Sequence, residues 1–218
     1  ITEVLTTGDL GGRKVVVTAG GTRESIDPVR YVGNRSTGKQ GYAVADAALA
    51  RGAQVTLIST VTIEAPPGVE MITVESAAQM HEAVLERSDA DVIVMAAAVA
   101  DFRPVETSDS KIKKDGGPPE LLLEATPDIL SELGASKLPG QVVVGFAAET
   151  DELITHAQKK LERKNVDVIV ANDVSAPKVG FAHETNEVTI LEANGSQRHI
   201  SLRSKRQIAD EVLDTVVE

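Results

Sequence analysis

From residue 14 onward, short β-branched runs alternate with stretches of helical spacing. Residues 14–18 (KVVVT), 54–59, 71–74, 91–98 (DVIVMAAA), 141–146 and 167–171 are apolar at successive positions, the mark of strands buried on both faces. Between them, 41–51 (GYAVADAALAR), 77–87, 127–133 and 152–164 carry the spacing of amphipathic helices. The first is Ala-rich and is stopped by Gly52; the third takes Thr126 as its cap and Pro127 in its first turn. The alternation predicts an α/β domain with a doubly wound, mostly parallel sheet. Two parts break it. Residues 121–125 form a strand with no helix before it, and 187–202 form two strands around Asn194-Gly195, a hairpin turn, ahead of a helix at 204–217. These are expected as an added antiparallel element, either an extra sheet or a dimer contact. Residues 1–12, ending in Gly11-Gly12, are expected as a lead-in, and 13–218 as a single domain.

Apolar residues make up 42% of the chain but aromatics only 2%, so the core must be Val, Ile, Leu and Ala. A net charge of −11 argues against a nucleic-acid partner, which calls for a basic face. The absence of cysteine excludes a disulfide scaffold, a thiolate metal site and a cysteine nucleophile. The histidines, His81, His156, His183 and His199, lack zinc-ligand spacing. No run approaches the ~20 apolar residues of a membrane span, and no signal segment opens the chain; a cytoplasmic protein is expected. Because the chain starts at Ile, it is expected to be a piece of a longer one.

Five segments carry candidate chemistry. Gly20-Gly21, just past the first strand, allow either backbone contact with a phosphate or a plain tight turn; they do not spell G-x-G-x-x-G. Residues 33–41 (GNRSTGKQG) come one residue short of a P-loop, with Gln40 where a magnesium-holding hydroxyl would stand, and lie too far from their strand for that motif. They still lead into a helix N-terminus with Arg30, Arg35 and Lys39 nearby, an arrangement suited to an anion. Residues 96–103 (AAAVADFR) leave the strongest core strand, where small side chains admit a flat ring and Asp101 offers a carboxylate. The lysine run from Lys111 to Lys114, before Asp115-Gly116-Gly117, is either a solvated loop or a mobile cationic arm. Finally, Lys160 and Lys164 lie at the edge of the apolar stripe Leu153, Ala157 and Leu161, either snorkelling or sharing an anionic partner. No G-x-S-x-G, H-E-x-x-H or Tyr-x-x-x-Lys is present.

Together with TPDIL at 126–130, VGFAAET at 144–150 and VANDVS at 170–175, these segments resemble the bacterial phosphopantothenoylcysteine synthetases, the synthetase half of a bifunctional coenzyme A biosynthesis protein. The resemblance spans roughly 13–215. It implies a Rossmann-like homodimer, each site completed near the partner subunit, within a larger oligomer of the full-length protein. It implies ligation of 4′-phosphopantothenate to cysteine through an acyl-cytidylate, with CTP as co-substrate, Mg2+ accompanying it, and FMN in the decarboxylase half absent here. By the resemblance Lys111 serves acyl-cytidylate formation, Asn34 the intermediate and the cysteine step, with Arg30 and Arg35 beside it. Gly20, Gly21, Ser36, Ala97, Asp101, Lys111, Pro127, Asp128, Ile129, Leu130, Phe146, Lys160 and Lys164 match nucleotide-contacting positions. Arg35, Thr37 and Gly21 stand where His, Ser and Pro are common, differences expected to tune activity. The rival readings are a Rossmann-like NAD(P)-binding oxidoreductase and a non-catalytic domain dimerising through 187–202.

Overall fold

The computed structural model describes residues 8–114, 117, 119–149, 152–173 and 183–217. Residues 1–7 of the lead-in, Asp115-Gly116 of the lysine run, Thr150 and the 174–175 end of VANDVS lie outside them.

Strands β1 (Lys14–Ala19), β4 (Gln54–Ser59), β5 (Glu70–Thr73), β6 (Val92–Met95), β9 (Val142–Glu149) and β10 (Val168–Asp173) pair in parallel. The antiparallel β11 (Thr185–Glu192) and β12 (Gln197–Ser204) extend the sheet, giving the order β12-β11-β10-β9-β6-β1-β4-β5. From β1 the chain winds outward through β4 and β5, then returns to the other side of β1 for β6. That reversal is the switch point at which open α/β sheets bind their ligands.

Alternation along each strand divides the core. Val15 and Val17 face α1 (Lys39–Ala50) and α5 (Lys205–Val217), whereas Val16 faces α2 (Ala77–Leu85), α3 (Ile129–Ala135) and α4 (Leu153–Lys164). The buried set is Val, Ile, Leu, Ala and Met with Tyr42 as its one aromatic, among the described residues. Each fully buried Val or Ile is worth about 1.5–3 kcal/mol, so the sheet holds without large rings.

The helices begin where local chemistry allows. Ser76 and Gln79 close a capping box on α2. For α3 the expectation is corrected: Asp128, not Thr126, caps it by accepting from the Ser131 amide, and Pro127 precedes the helix. The Thr126 hydroxyl donates instead to the Ala100 carbonyl at 2.5 Å. The strand expected over 91–98 ends at Met95.

Two ribbons stand outside the sheet. β2 (Arg23–Ser25) pairs with β3 (Tyr31–Gly33), and β7 (Phe102–Pro104) pairs with β8 (Leu123–Ala125). Buried Glu24 roots the first by accepting from the Ala77 amide at the start of α2. These ribbons with the 105–114 segment form an arm, on which Val29, Tyr31, Phe102, Val105, Leu121, Leu122 and Leu123 are exposed. The exposed apolar side chains thus concentrate on the arm, while the 187–202 hairpin is a sheet extension packed beneath α5. Among the described residues no helix is long and apolar enough to cross a membrane.

Candidate active site

A cavity of about 1040 Å³ opens beside the switch point, over the carboxyl ends of β6, β9 and β10. Its floor is the 96–101 strip leaving β6, which side-chain hydroxyls pin in place. The Ala97 amide donates to Thr18 Oγ1 at 3.1 Å and the Ala100 amide to Thr22 Oγ1 at 2.8 Å. The Ala98 amide reaches the Gly20 carbonyl at 2.8 Å, and Asn34 Nδ2 donates to the Val99 carbonyl at 2.9 Å. A strip with its backbone so committed presents small side chains and a flat surface to the cavity.

Gly20 and Gly21 lie behind this floor rather than in the cavity lining. A Cβ on Gly21 would stand 2.3 Å from the Asn34 carbonyl oxygen, so glycine there lets the 34–36 loop close onto β1. A dinucleotide turn needs that space open for a pyrophosphate, and here it is filled by protein.

Cations surround the cavity. Lys159, Lys160, Arg163 and Lys164 come from α4; Arg35 and Lys39 precede or open α1; Lys205 opens α5. Against them, among the described residues, the lining offers the carboxylates of Asp101 and Asp128, in a chain of net charge −11. Positive charge has been gathered here against the trend of the molecule, as anion binding requires. Buried Lys164 pairs with Asp128, and Lys160 Nζ donates to the Phe146 carbonyl at 3.1 Å. Burial pushes the Asp128 carboxyl up, but the Lys164 ammonium and the Ser131 amide outweigh it and hold the group below its usual range. Lys205 is only 6% exposed; burial, then the neighbouring Lys39, depresses its pKa, with Glu184 opposing them. Lys39 itself pairs with Glu184.

The structure therefore brings Asn34, Arg35, Ser36, Ala97, Asp101, Pro127, Asp128, Ile129, Leu130, Phe146, Lys160 and Lys164 to one cavity. It does not bring Lys111 or Arg30 there. Both sit on the arm, where Arg30 lines a separate hollow of about 220 Å³ with Ile112, Lys113 and Lys114. Lys111 is exposed.

Sequence reasoning missed His156, Lys159 and Arg163, which share a face of α4 with Lys160 and Lys164; the same wheel would have shown them. It also missed Lys205, Asn172 and Asn186, which tertiary folding delivers from the far end of the chain. Among the described residues no three Asp, Glu or His side chains gather as a metal site. Asp128 is committed to Lys164, which leaves Asp101 as the other carboxylate of the described lining.

The family model for the DNA/pantothenate metabolism flavoprotein C-terminal domain matches residues 10–218. The chain belongs to that family. It is 50% identical over 97% of its length to the coenzyme A biosynthesis bifunctional protein CoaBC of Bacillus subtilis, and spans 52% of that relative. The family fold is matched by the crystal structure of the C-terminal domain of a CoaBC protein, at 39% identity, TM-score 0.82 and 96% coverage of both chains. The Cab2 mutant H337A in complex with phosphopantothenate-cysteine shares the fold at TM-score 0.74 and 18% identity, covering 94% of this chain and 85% of its own. This family domain thus spans about half the length of the curated relatives it matches.

Proposed function

We propose that the domain is a CTP-dependent ligase of coenzyme A biosynthesis, joining 4′-phosphopantothenate to L-cysteine through an acyl-cytidylate. The observation that carries this reading is the cation-lined cavity beside the switch point, its lining shared between the 34–41 loop, the 96–101 strip and α4. Membership of a family whose relatives serve coenzyme A biosynthesis supplies the substrate class.

Two transfers are required. A carboxylate oxygen of phosphopantothenate attacks the α-phosphorus of CTP, and pyrophosphate leaves. The cysteine amine then attacks the acyl carbon, CMP leaves with the bonding pair, and the amine releases a proton. The flat 96–101 strip with Phe146 suits the nucleoside, and Lys160 and Lys164 suit its phosphates. Magnesium, bound with the triphosphate, would neutralise its charge. Asn34 spends one amide hydrogen on Val99 and keeps a second for the acyl oxygen. Lys111 supplies positive charge as the phosphates separate. Since Lys111 and Arg30 lie outside their own chain's cavity, we place them at a site completed in a homodimer, with the apolar side chains of the arm as the contact. A flavin-binding decarboxylase half belongs to the longer protein in this reading.

Incubation with CTP, magnesium and phosphopantothenate, without cysteine, should release pyrophosphate and yield an intermediate with the mass of the acyl-cytidylate. No release from active substrates would sink the proposal.

A further inference from the structure

Within the arm, the 107–112 segment is held against the tip of the β2–β3 ribbon. The Asp27 side chain is fully shielded from solvent at the tip between β2 and β3. Its Oδ1 accepts from the Val29 amide at 2.8 Å and the Arg30 amide at 2.9 Å, closing the turn. Its Oδ2 accepts from Arg30 Nε at 2.9 Å and from the Arg30 terminal nitrogen. The same Oδ2 accepts from the Ile112 amide at 3.2 Å, reaching across 85 positions of sequence. Arg30 then returns the contact, donating to the Ile112 carbonyl at 2.9 Å. Both backbone groups of Ile112 are thus held by one ion pair. Upstream, the Ser108 amide donates to the Ile26 carbonyl at 3.0 Å and the Thr107 hydroxyl to the Ser25 carbonyl at 3.0 Å.

The peptide between Lys111 and Ile112 is the one whose N–H enters Asp27. Its plane sets where the Lys111 Cα–Cβ bond points, and Lys111 is otherwise exposed. We infer that Asp27 is a positioning residue: through Arg30 and the Ile112 backbone it fixes the 108–112 segment, and with it the direction of the Lys111 ammonium. The inference rests on the proposed ligase for its catalytic consequence and on geometry alone for the lock. The Arg30 guanidinium, and then the surrounding amides, hold the Asp27 carboxyl well below the usual carboxylate range, so the lock stays charged throughout the working pH range. Asn cannot replace it. An amide NH2 in the place of Oδ2 would meet Arg30 and Ile112 donor to donor.

The test is Asp27→Asn in the full domain, alone and combined with Lys111→Gln. Amide hydrogen exchange is expected to speed up at Ile112 by at least about 10-fold while the sheet amides of β1 and β6 keep their protection. With CTP affinity within twofold of the parent, kcat for pyrophosphate formation should fall roughly 10- to 100-fold, because misplacing a reacting cation by ~1 Å is costly. In the Lys111→Gln background the same change should cost nothing further, a non-additivity that a general loss of stability would not produce. Unchanged exchange at Ile112 would overturn the lock. An equal kcat penalty in both backgrounds would overturn the link to Lys111. If the parent domain forms no pyrophosphate, it is the ligase reading that fails, and exchange at Ile112 still decides the lock. Should Asp27→Asn not fold, Arg30→Met, which removes the ion pair with Asp27 together with the return contact to Ile112, must loosen Ile112 in the same way while β1 and β6 keep their protection, or the inference is wrong.

Discussion

The cavity and the arm hold their charges in opposite ways. Among the described residues lining the cavity, seven cationic side chains stand beside two carboxylates, with Lys39 also paired to Glu184, and Lys205 is held with its ammonium disfavoured by burial. On the arm, Asp27 is shielded as fully, yet every contact it makes stabilises its charge. A region whose lining carries more cations than carboxylates is arranged to receive an anion. A region that satisfies its charges internally is arranged to hold a shape. On the proposed function, the domain separates binding, built into the sheet and α4, from the presentation of Lys111 on a braced outboard segment.

The sharpest way to break that division is Lys111→Gln. With Lys111 outside the lining, its loss should leave CTP affinity within about twofold and lower the rate of the first half-reaction by ~10²–10³-fold, the usual cost of one charge-stabilising group. Titration calorimetry with CTP and a pyrophosphate assay read the two separately. A matching fall in affinity would mean that the arm already belongs to the nucleotide site. Asn34→Asp would not act on the cysteine step alone. Its new carboxylate would oppose the Val99 carbonyl that Asn34 now donates to, loosening the floor as well as the chemistry.

Lys160→Met tests the other side. It removes a cavity cation that donates to the Phe146 carbonyl and should weaken CTP binding about 10-fold, near 1.4 kcal/mol, with kcat at saturation nearly unchanged. A fall in kcat with unchanged affinity would place Lys160 in the chemistry and collapse the distinction.

How far these two regions could be read from the chain differs for a physical reason. The cavity is written in local signals. Consecutive apolar strands give the sheet, the strand exits give the floor, and the position of Lys160 and Lys164 beside an apolar stripe shows that they turn inward. Even the α3 start is a choice between two good caps, Thr126 and Asp128, decided by the Ala100 carbonyl that claims Thr126. The arm offers no such periodicity. Its strands are three residues long, too short for alternation to register, and Asp27 finds Ile112 only through the folded chain. Lys205 is hidden for the same reason, since a lysine at a helix start looks solvated until Glu184 and Lys39 are folded around it.

Lys205 gives the smallest expected effect and the finest test of the cavity's charge. A lysine whose folded pKa lies below its unfolded value, ~10.4, binds fewer protons in the native state. Across the window from the depressed value up to ~10.4 the unfolded chain therefore holds more protons, and native stability rises with pH. Below that window the buried charge is a standing cost. Lys205→Met should remove both features in the ligand-free domain: a slight gain in stability near neutral pH, and a flatter dependence on the alkaline side up to ~10.4 in urea titrations. With saturating CTP the sign should reverse, because the anion that offsets the ammonium binds the parent more tightly. If the variant is equally destabilised with and without CTP, Lys205 is ordinary framework, and the cavity's excess charge resides on α4 and the 34–39 loop alone.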